Sequence, residues 1–200
     1  MSELAAFVTL GFHHIVDAGA LDHILFLLAL AAIYRPRDWR DALWVVSAFT
    51  VGHSITLALA VTGALVLPTA LIEFLIPLTI LATALENIVV HERRRALWRG
   101  RYRPLFAGLF GLVHGAGFAN YLRGLFLDDV ALPLFGFNVG IELGQVVVLA
   151  LAAACLVLLD RILAFLARPE ASGTPRLRVV AISVIVAVVS AHWAVQRSPF

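Results

Sequence analysis

The chain reads as an all-α, polytopic membrane helix bundle of about six transmembrane helices, with both termini on the extracytoplasmic side. Three observations point there. Of 200 residues, 62% are hydrophobic and only 14% charged, whereas soluble domains are near half apolar and about a quarter charged. Apolar stretches of about 20 residues, the length that matches a ~30 Å hydrocarbon core, recur along the chain. All fifteen basic residues are arginines, and they gather in alternate connections.

The first span is expected over residues 12–34. Residues 3–11 are apolar as well, and either extend that helix or lie along the interface. MSELAAFVTLGF has no basic stretch and carries Glu3, so the first span itself is expected to act as the targeting segment. The second span covers 41–64, the third 68–90, the fourth 104–124, the fifth 132–159 and the sixth 178–196. Pro68, Pro104 and Pro133 stand at helix starts, where a missing N–H costs nothing. Pro77 falls inside the third span and predicts a kink. Residues 1–200 read as a single transmembrane domain without heptads or internal repeats. The longest polar connector, RPEASGTPR at 168–176, reads as a flexible loop.

Orientation follows from the arginines. Three lie in RPRDWR after the first span, six in HERRRALWRGRYRP and four between Arg161 and Arg178, whereas only Arg123 and Arg197 fall on the other side. The positive-inside rule then places the arginine-rich loops in the cytoplasm and both termini outside, in a bacterial inner membrane. The clusters are explained by topology and contact with anionic lipid, not by nucleic-acid binding. Cys155 is the single cysteine. No intramolecular disulfide or cysteine-based metal site can form, and Cys155 reads as a small packing residue.

Against this apolar background stand ionisable residues at membrane depth, where a charge costs from ~3 to above 10 kcal/mol unless paired, liganded or hydrated. The first span holds His13, His14, Asp17, Asp22 and His23. On one continuous helix His14 and Asp22 share a face, with His23 on the adjoining line. SAFTVGHSITL puts His53 near mid-span with Ser47, Thr50 and Ser54 beside it. The third span carries Glu73, Thr79, Thr83, Glu86 and Asn87. GLFGLVHGAGFAN centres on His114, with Gly108, Gly111 and Gly115 forming a smooth stripe for close helix approach. In FNVGIELGQ, Asn138, Glu142 and Gln145 share a stripe, and His192 lies near the outer end of the sixth span. At 1.5 Å rise per residue, Asp22, His23, His53, His114 and Glu142 reach one common layer from four helices. Glu86 and Asn87 lie deeper toward the cytoplasm, as a second station.

Three imidazoles with one or two carboxylates form a donor set that Zn²⁺, Ni²⁺ or Co²⁺ accepts. The expected metal residues are therefore Asp22, His23, His53, His114 and Glu142, with His14, Glu86, Asn87, Asn138, Gln145 and His192 as accessory positions. Asn138 and Gln145 serve equally well as interhelical hydrogen-bonding groups.

The blocks GALDHILFLLAL, FTVGHSITLALA, LENIVV, GLVHGAGFA and FNVGIELGQ resemble those of the HupE/UreJ membrane family of hydrogenase and urease accessory proteins, its second branch in particular, over residues 11–150. The resemblance implies a nickel or cobalt permease whose first helix carries His, five residues, then Asp-His. Asp22 and His23 match that pair, and His53, His114 and Glu142 occupy the polar positions of later blocks. Seven residues separate His14 from Asp22 here instead of five.

Two functions follow from these residues. A divalent-metal permease would use the track from His14 and His192, through the His layer, to Glu86 and Asn87. No GKS or GKT phosphate-binding motif is present, so transport would be passive or ion-coupled. The alternative is an intramembrane metal-dependent hydrolase, in which a bound water is acidified and Asp22 or Glu142 acts as general base on a lipid or membrane peptide. A non-catalytic bundle with a structural metal stays open, as does a homo-oligomer.

Overall fold

The computed structural model describes residues 2–17, 19–90, 100–123, 130–166 and 174–200. His91, Glu92, the arginines at 93–99 and most of the 168–176 loop lie outside the described residues. Seven α-helices follow one another: α1 (Glu3–Val16), α2 (Leu21–Ile33), α3 (Trp39–Val61, preceded by a 3₁₀ turn at Pro36–Asp38), α4 (Thr69–Val90), α5 (Arg103–Arg123), α6 (Ala131–Leu166) and α7 (Thr174–Gln196). No strand occurs among the described residues.

Helices α3, α4, α6 and α7 are each long and apolar enough to cross a bilayer alone. At 21 residues, α5 is about 31 Å long, but its glycines and polar residues make it less apolar. Pro77 lies inside α4, which continues through it. Gly63, at φ +77°, follows the last turn of α3 in the left-handed conformation that commonly ends a helix.

The first expected span is corrected by the structure. Instead of one helix over 12–34 there are two, α1 and α2, meeting at 69°; together they are apolar and long enough for one crossing. The break has a local cause. Asp17 is extended (φ −66°, ψ 144°), its Oδ1 accepts from the Gly19 N–H at 3.1 Å, and Ala20 N donates to the Asp17 carbonyl at 2.9 Å. An aspartate that bonds the backbone two residues on offers the chain a turn in place of the next helical turn.

Glycines set the packing. A Cβ at Gly11 would stand 2.0 Å from the Phe137 carbonyl oxygen, and one at Gly140 2.1 Å from that of Val8, so α1 lies backbone to backbone along the first half of α6. The same is true of α3 and α5, where a Cβ at Gly52 would meet the Gly108 carbonyl oxygen at 2.0 Å and one at Gly111 the Phe49 carbonyl oxygen at 2.1 Å. From Gly136 beside Leu4 to Gly144 beside Ile15, and from Gly108 beside Ala48 to Gly115 beside His53, the residue numbers of each pair rise together, so the helices run parallel. In lipid such close approach supplies the van der Waals attraction that the hydrophobic effect no longer provides. Helix α4 packs on α7, and α2 lies enclosed, touching α4, α6 and α7. Phe26, Leu27 and Ala29 to Ile33 of α2 are all buried, as expected for a helix that is apolar on every side.

Candidate metal centre

The α1–α2 break, the middle of α3 and the middle of α5 converge on one cluster of imidazoles. Donor atoms of His14, His23 and His53 lie within 4.8 Å of one another, and so do those of Asp22, His23 and His114. His23 belongs to both groups. Ring centroids confirm the cluster: His14–His23 5.0 Å, His23–His114 5.2 Å, His14–His53 6.2 Å and His23–His53 6.3 Å.

Each position has a structural cause. His14 is in the last turn of α1 and His23 in the first turn of α2, so the break brings together two side chains that a straight helix would hold on opposite sides and about 13.5 Å apart along its axis. His53 and His114 come from α3 and α5, which touch at Gly115: a Cβ there would lie 2.1 Å from the His53 carbonyl oxygen. Rings frame the cluster, with Phe118 4.0 Å from His14 and Phe49 5.0 Å from His114, centroid to centroid.

Hydrogen bonds orient two of the imidazoles. Asp22 Oδ1 accepts from the His23 backbone N–H at 2.9 Å and from His23 Nδ1 at 3.1 Å, which leaves His23 Nε2 with its lone pair toward the cluster. The Thr79 hydroxyl donates to the Ile76 carbonyl at 2.7 Å, so its oxygen is free to accept from His114 Nε2 at 3.0 Å. The tautomer follows from this network: His114 Nδ1 carries the lone pair. A carboxylate or hydroxyl that holds the far nitrogen of an imidazole is the usual support of a metal-ligating histidine.

The near nitrogens have no protein partner. His14 Nε2, His23 Nε2, both nitrogens of His53 and His114 Nδ1 are buried without a hydrogen bond. Each such orphan costs about 1–3 kcal/mol, and five in one place is a large local debt. A divalent ion at about 2.0–2.1 Å from nitrogen donors holds tetrahedral neighbours about 3.3 Å apart. Groups already within 4.8 Å reach that spacing by side-chain rotations of about an ångström. The residues present thus fit a borderline divalent cation.

A cavity of about 610 Å³ leads to the cluster. His13, Asp17, Glu73 and Arg197 line it along with His14, Asp22, His23 and His114. On the far side the stacked rings of Phe26 and Phe49, 5.0 Å apart at 28°, close the cluster off. Beyond them lies a separate crevice of about 160 Å³ between α4 and α5.

Other residues singled out from sequence take different places. Among the described residues Glu142 joins neither donor group; its carboxylate accepts from the Ser47 hydroxyl. Gln145 is buried and accepts from Thr50 at 2.9 Å, so this stripe of α6 ties α6 to α3. Asn138 Oδ1 is buried without a partner. His192 is exposed on α7 and joins neither donor group. Glu86 and Asn87 do lie together, but with a partner sequence reasoning missed. Arg103, only 6% exposed, pairs with Glu86 at 2.6 Å and donates to Asn87 Oδ1 at 3.1 Å, while Tyr102 donates its hydroxyl to Glu86. Burial and the Glu86 carboxylate push the Tyr102 phenol above its ordinary value, which keeps it a donor. Asn87 in turn donates to the Ala29 carbonyl of α2 at 2.7 Å.

Neither a curated protein nor a solved structure matches the chain. A family model described as HupE / UreJ protein matches residues 1–197. With its apolar helices and a buried His/Asp cluster suited to a divalent metal, the chain belongs to the HupE/UreJ family, in its second branch.

Proposed function

We propose that the protein is a divalent transition-metal permease of the nickel or cobalt type, in which His14, Asp22, His23, His53 and His114 form the binding station and the metal is the cargo. One observation carries this reading: buried, unpartnered imidazole nitrogens from four helices meet at the foot of a polar cavity. The arginine distribution orients the bundle with both termini outside, so the 610 Å³ cavity faces the extracytoplasmic side and His13, Asp17 and Glu73 stand at its mouth. Imidazole nitrogen with a single carboxylate suits nickel, cobalt and zinc alike; the family points to the first two. Inward release requires the stacked Phe26 and Phe49 rings to part, since binding and release demand that the station open to one side at a time. Glu142, outside the donor groups, then acts by holding α6 to α3 through Ser47. Nickel uptake into proteoliposomes should fall to background with His53→Ala. Uptake equal to wild type overturns the proposal.

A second reading is favoured by the aromatic closure beneath the cluster. A metal site at the end of a one-sided cavity also suits hydrolysis, with a bound water acidified by the ion and Asp22 as the nearest carboxylate to take its proton. Metal-loaded protein that transports no nickel but cleaves lipid esters, with loss of cleavage in Asp22→Asn, would select it.

A further inference from the structure

The 160 Å³ crevice lies on the other side of Phe26 from the imidazole cluster, and none of the metal-donor residues lines it. Its walls are apolar: Phe26 and Leu30 of α2, Val45 of α3, Ala82 of α4, and Phe106 and Phe110 of α5. Ala82 and Phe106 are exposed, Phe106 by 48%, so the mouth opens sideways between α4 and α5 toward the surface a bilayer would cover. One end is polar, formed by Arg103, Glu86 and Tyr102.

Arg103 is the informative residue there. Its Nη2 is engaged by Glu86 and Asn87, yet its Nε is buried and donates to nothing. A charged N–H at 6% exposure without an acceptor is strongly unfavourable in a low-dielectric surround. Arg103 is also the first residue of α5, where the helix dipole favours an anion. An anion-seeking donor at one end of an apolar slot that opens to lipid matches a molecule with an anionic head and an alkyl tail. The slot opens toward lipid at the arginine-rich end of the bundle, the leaflet level at which phospholipid phosphates sit.

We propose that this crevice is a phospholipid site: one acyl chain lies between α4 and α5 against Phe26, Phe106 and Phe110, and the phosphate accepts from Arg103 Nε at the start of α5. The pairing of Arg103 with Glu86 stays in place, because Nε points to a different acceptor. The lipid seals a cleft that α4 and α5, which touch only lightly, do not seal themselves.

The test uses the full-length chain reconstituted in phosphatidylethanolamine/phosphatidylglycerol vesicles, extracted in mild detergent, exchanged extensively and weighed by native mass spectrometry. Wild type should retain about one phospholipid per chain. Ala82→Trp, which fills the mouth, and Arg103→Lys, which keeps the charge but has no Nε–H, should each lower that fraction at least tenfold. Val188→Trp, on the exposed face of α7, should leave it unchanged. The two site variants attack opposite ends of the crevice, so a folding defect in one leaves the other decisive. Wild type without bound lipid, equal retention in all variants, or a fatty acid or detergent as the retained mass overturns the assignment. Nickel binding, measured in parallel on Ala82→Trp, should be unaffected, which separates this site from the metal centre.

Discussion

Replacing His23 by alanine should affect metal binding more than any other single change. The reason is topological: His23 is the one residue common to both donor groups, His14/His23/His53 and Asp22/His23/His114. Without it only the pairs His14/His53 and Asp22/His114 remain, and no set of three converging donors survives. Removing His14 or His114 alone leaves one complete group. Four-ligand zinc sites are worth about 10–16 kcal/mol, or about 3 kcal/mol per donor. At 1.4 kcal/mol per factor of ten, His14→Ala and His114→Ala should each weaken binding about a hundredfold. His23→Ala leaves neither group complete and should weaken binding further than either of these. Cobalt titration followed by ligand-field absorption measures all three, with exposed His192→Ala as the neutral control. The reasoning fails if His23→Ala binds no worse than His14→Ala, because the shared-donor arrangement would then not describe how the ion is held.

Thr79→Val keeps the shape beside His114 but removes the acceptor that fixes its tautomer; metal affinity should drop 10–100-fold, and the buried nitrogen left unpaired should lower stability by about 1–3 kcal/mol. Gly115→Ala would push a methyl to 2.1 Å from the His53 carbonyl oxygen, whereas at Gly108 the nearest atom is the Ala48 carbonyl oxygen at 3.4 Å. Gly115→Ala should therefore part α3 from α5, lower stability by about 3 kcal/mol or more and abolish metal binding, while Gly108→Ala remains monodisperse and binds normally, as thermal unfolding and metal content will show. Arg178 pairs with Asp160 and donates to the Ala32 carbonyl at the end of α2 at 3.1 Å. Asp160 is about a third exposed, so Arg178→Ala should cost about 1–3 kcal/mol, visible as a lower thermal midpoint. Restoration to wild-type stability by a second change, Asp160→Ala, would show instead that the pair contributes nothing beyond its own burial.

Much of the centre was legible because it rests on run length and rise per residue. Counting along apolar stretches put His23, His53 and His114 at one depth, and the structure brings those three together. The glycines beside His114 announced a close helix neighbour, found in α3. The break in the first span was harder to see, because hydropathy continues across residues 12–34. The signal was nevertheless present in DAGA, where Asp17 and Gly19 are turn residues. The α1–α6 contact also had a signature, Gly136, Gly140 and Gly144 at four-residue spacing. What no pattern could supply was partner choice across helices. Glu142, which rise per residue assigns to the layer of the histidines, meets Ser47, six residues before His53 on α3, and Glu86 and Asn87 meet Arg103, because helix tilt and rotation are set by packing and periodicity reports only which residues share a face.

That same break explains why the imidazoles sit where they do. A continuous helix consumes its carbonyl and N–H groups internally and presents only side chains to its neighbours. A broken one ends inside the bundle, where the last carbonyls of α1 form the negative end of its dipole close to His14. The first turn of α2 is the positive end, and it carries Asp22 with no side-chain cap at Ala20. Asp22 therefore offsets the unfavourable end of α2, bonds the His23 backbone N–H and steadies the His23 ring. The two helix ends then present a locally negative surface to the cavity, and a divalent cation is the species that such a surface stabilises. Irregular backbone at membrane depth persists where it lines a polar cavity, and here the break, the acid and the orphaned imidazole nitrogens require one another: straightening residues 17–20 would carry His14 away from His23 and leave Asp22 a buried charge facing apolar neighbours.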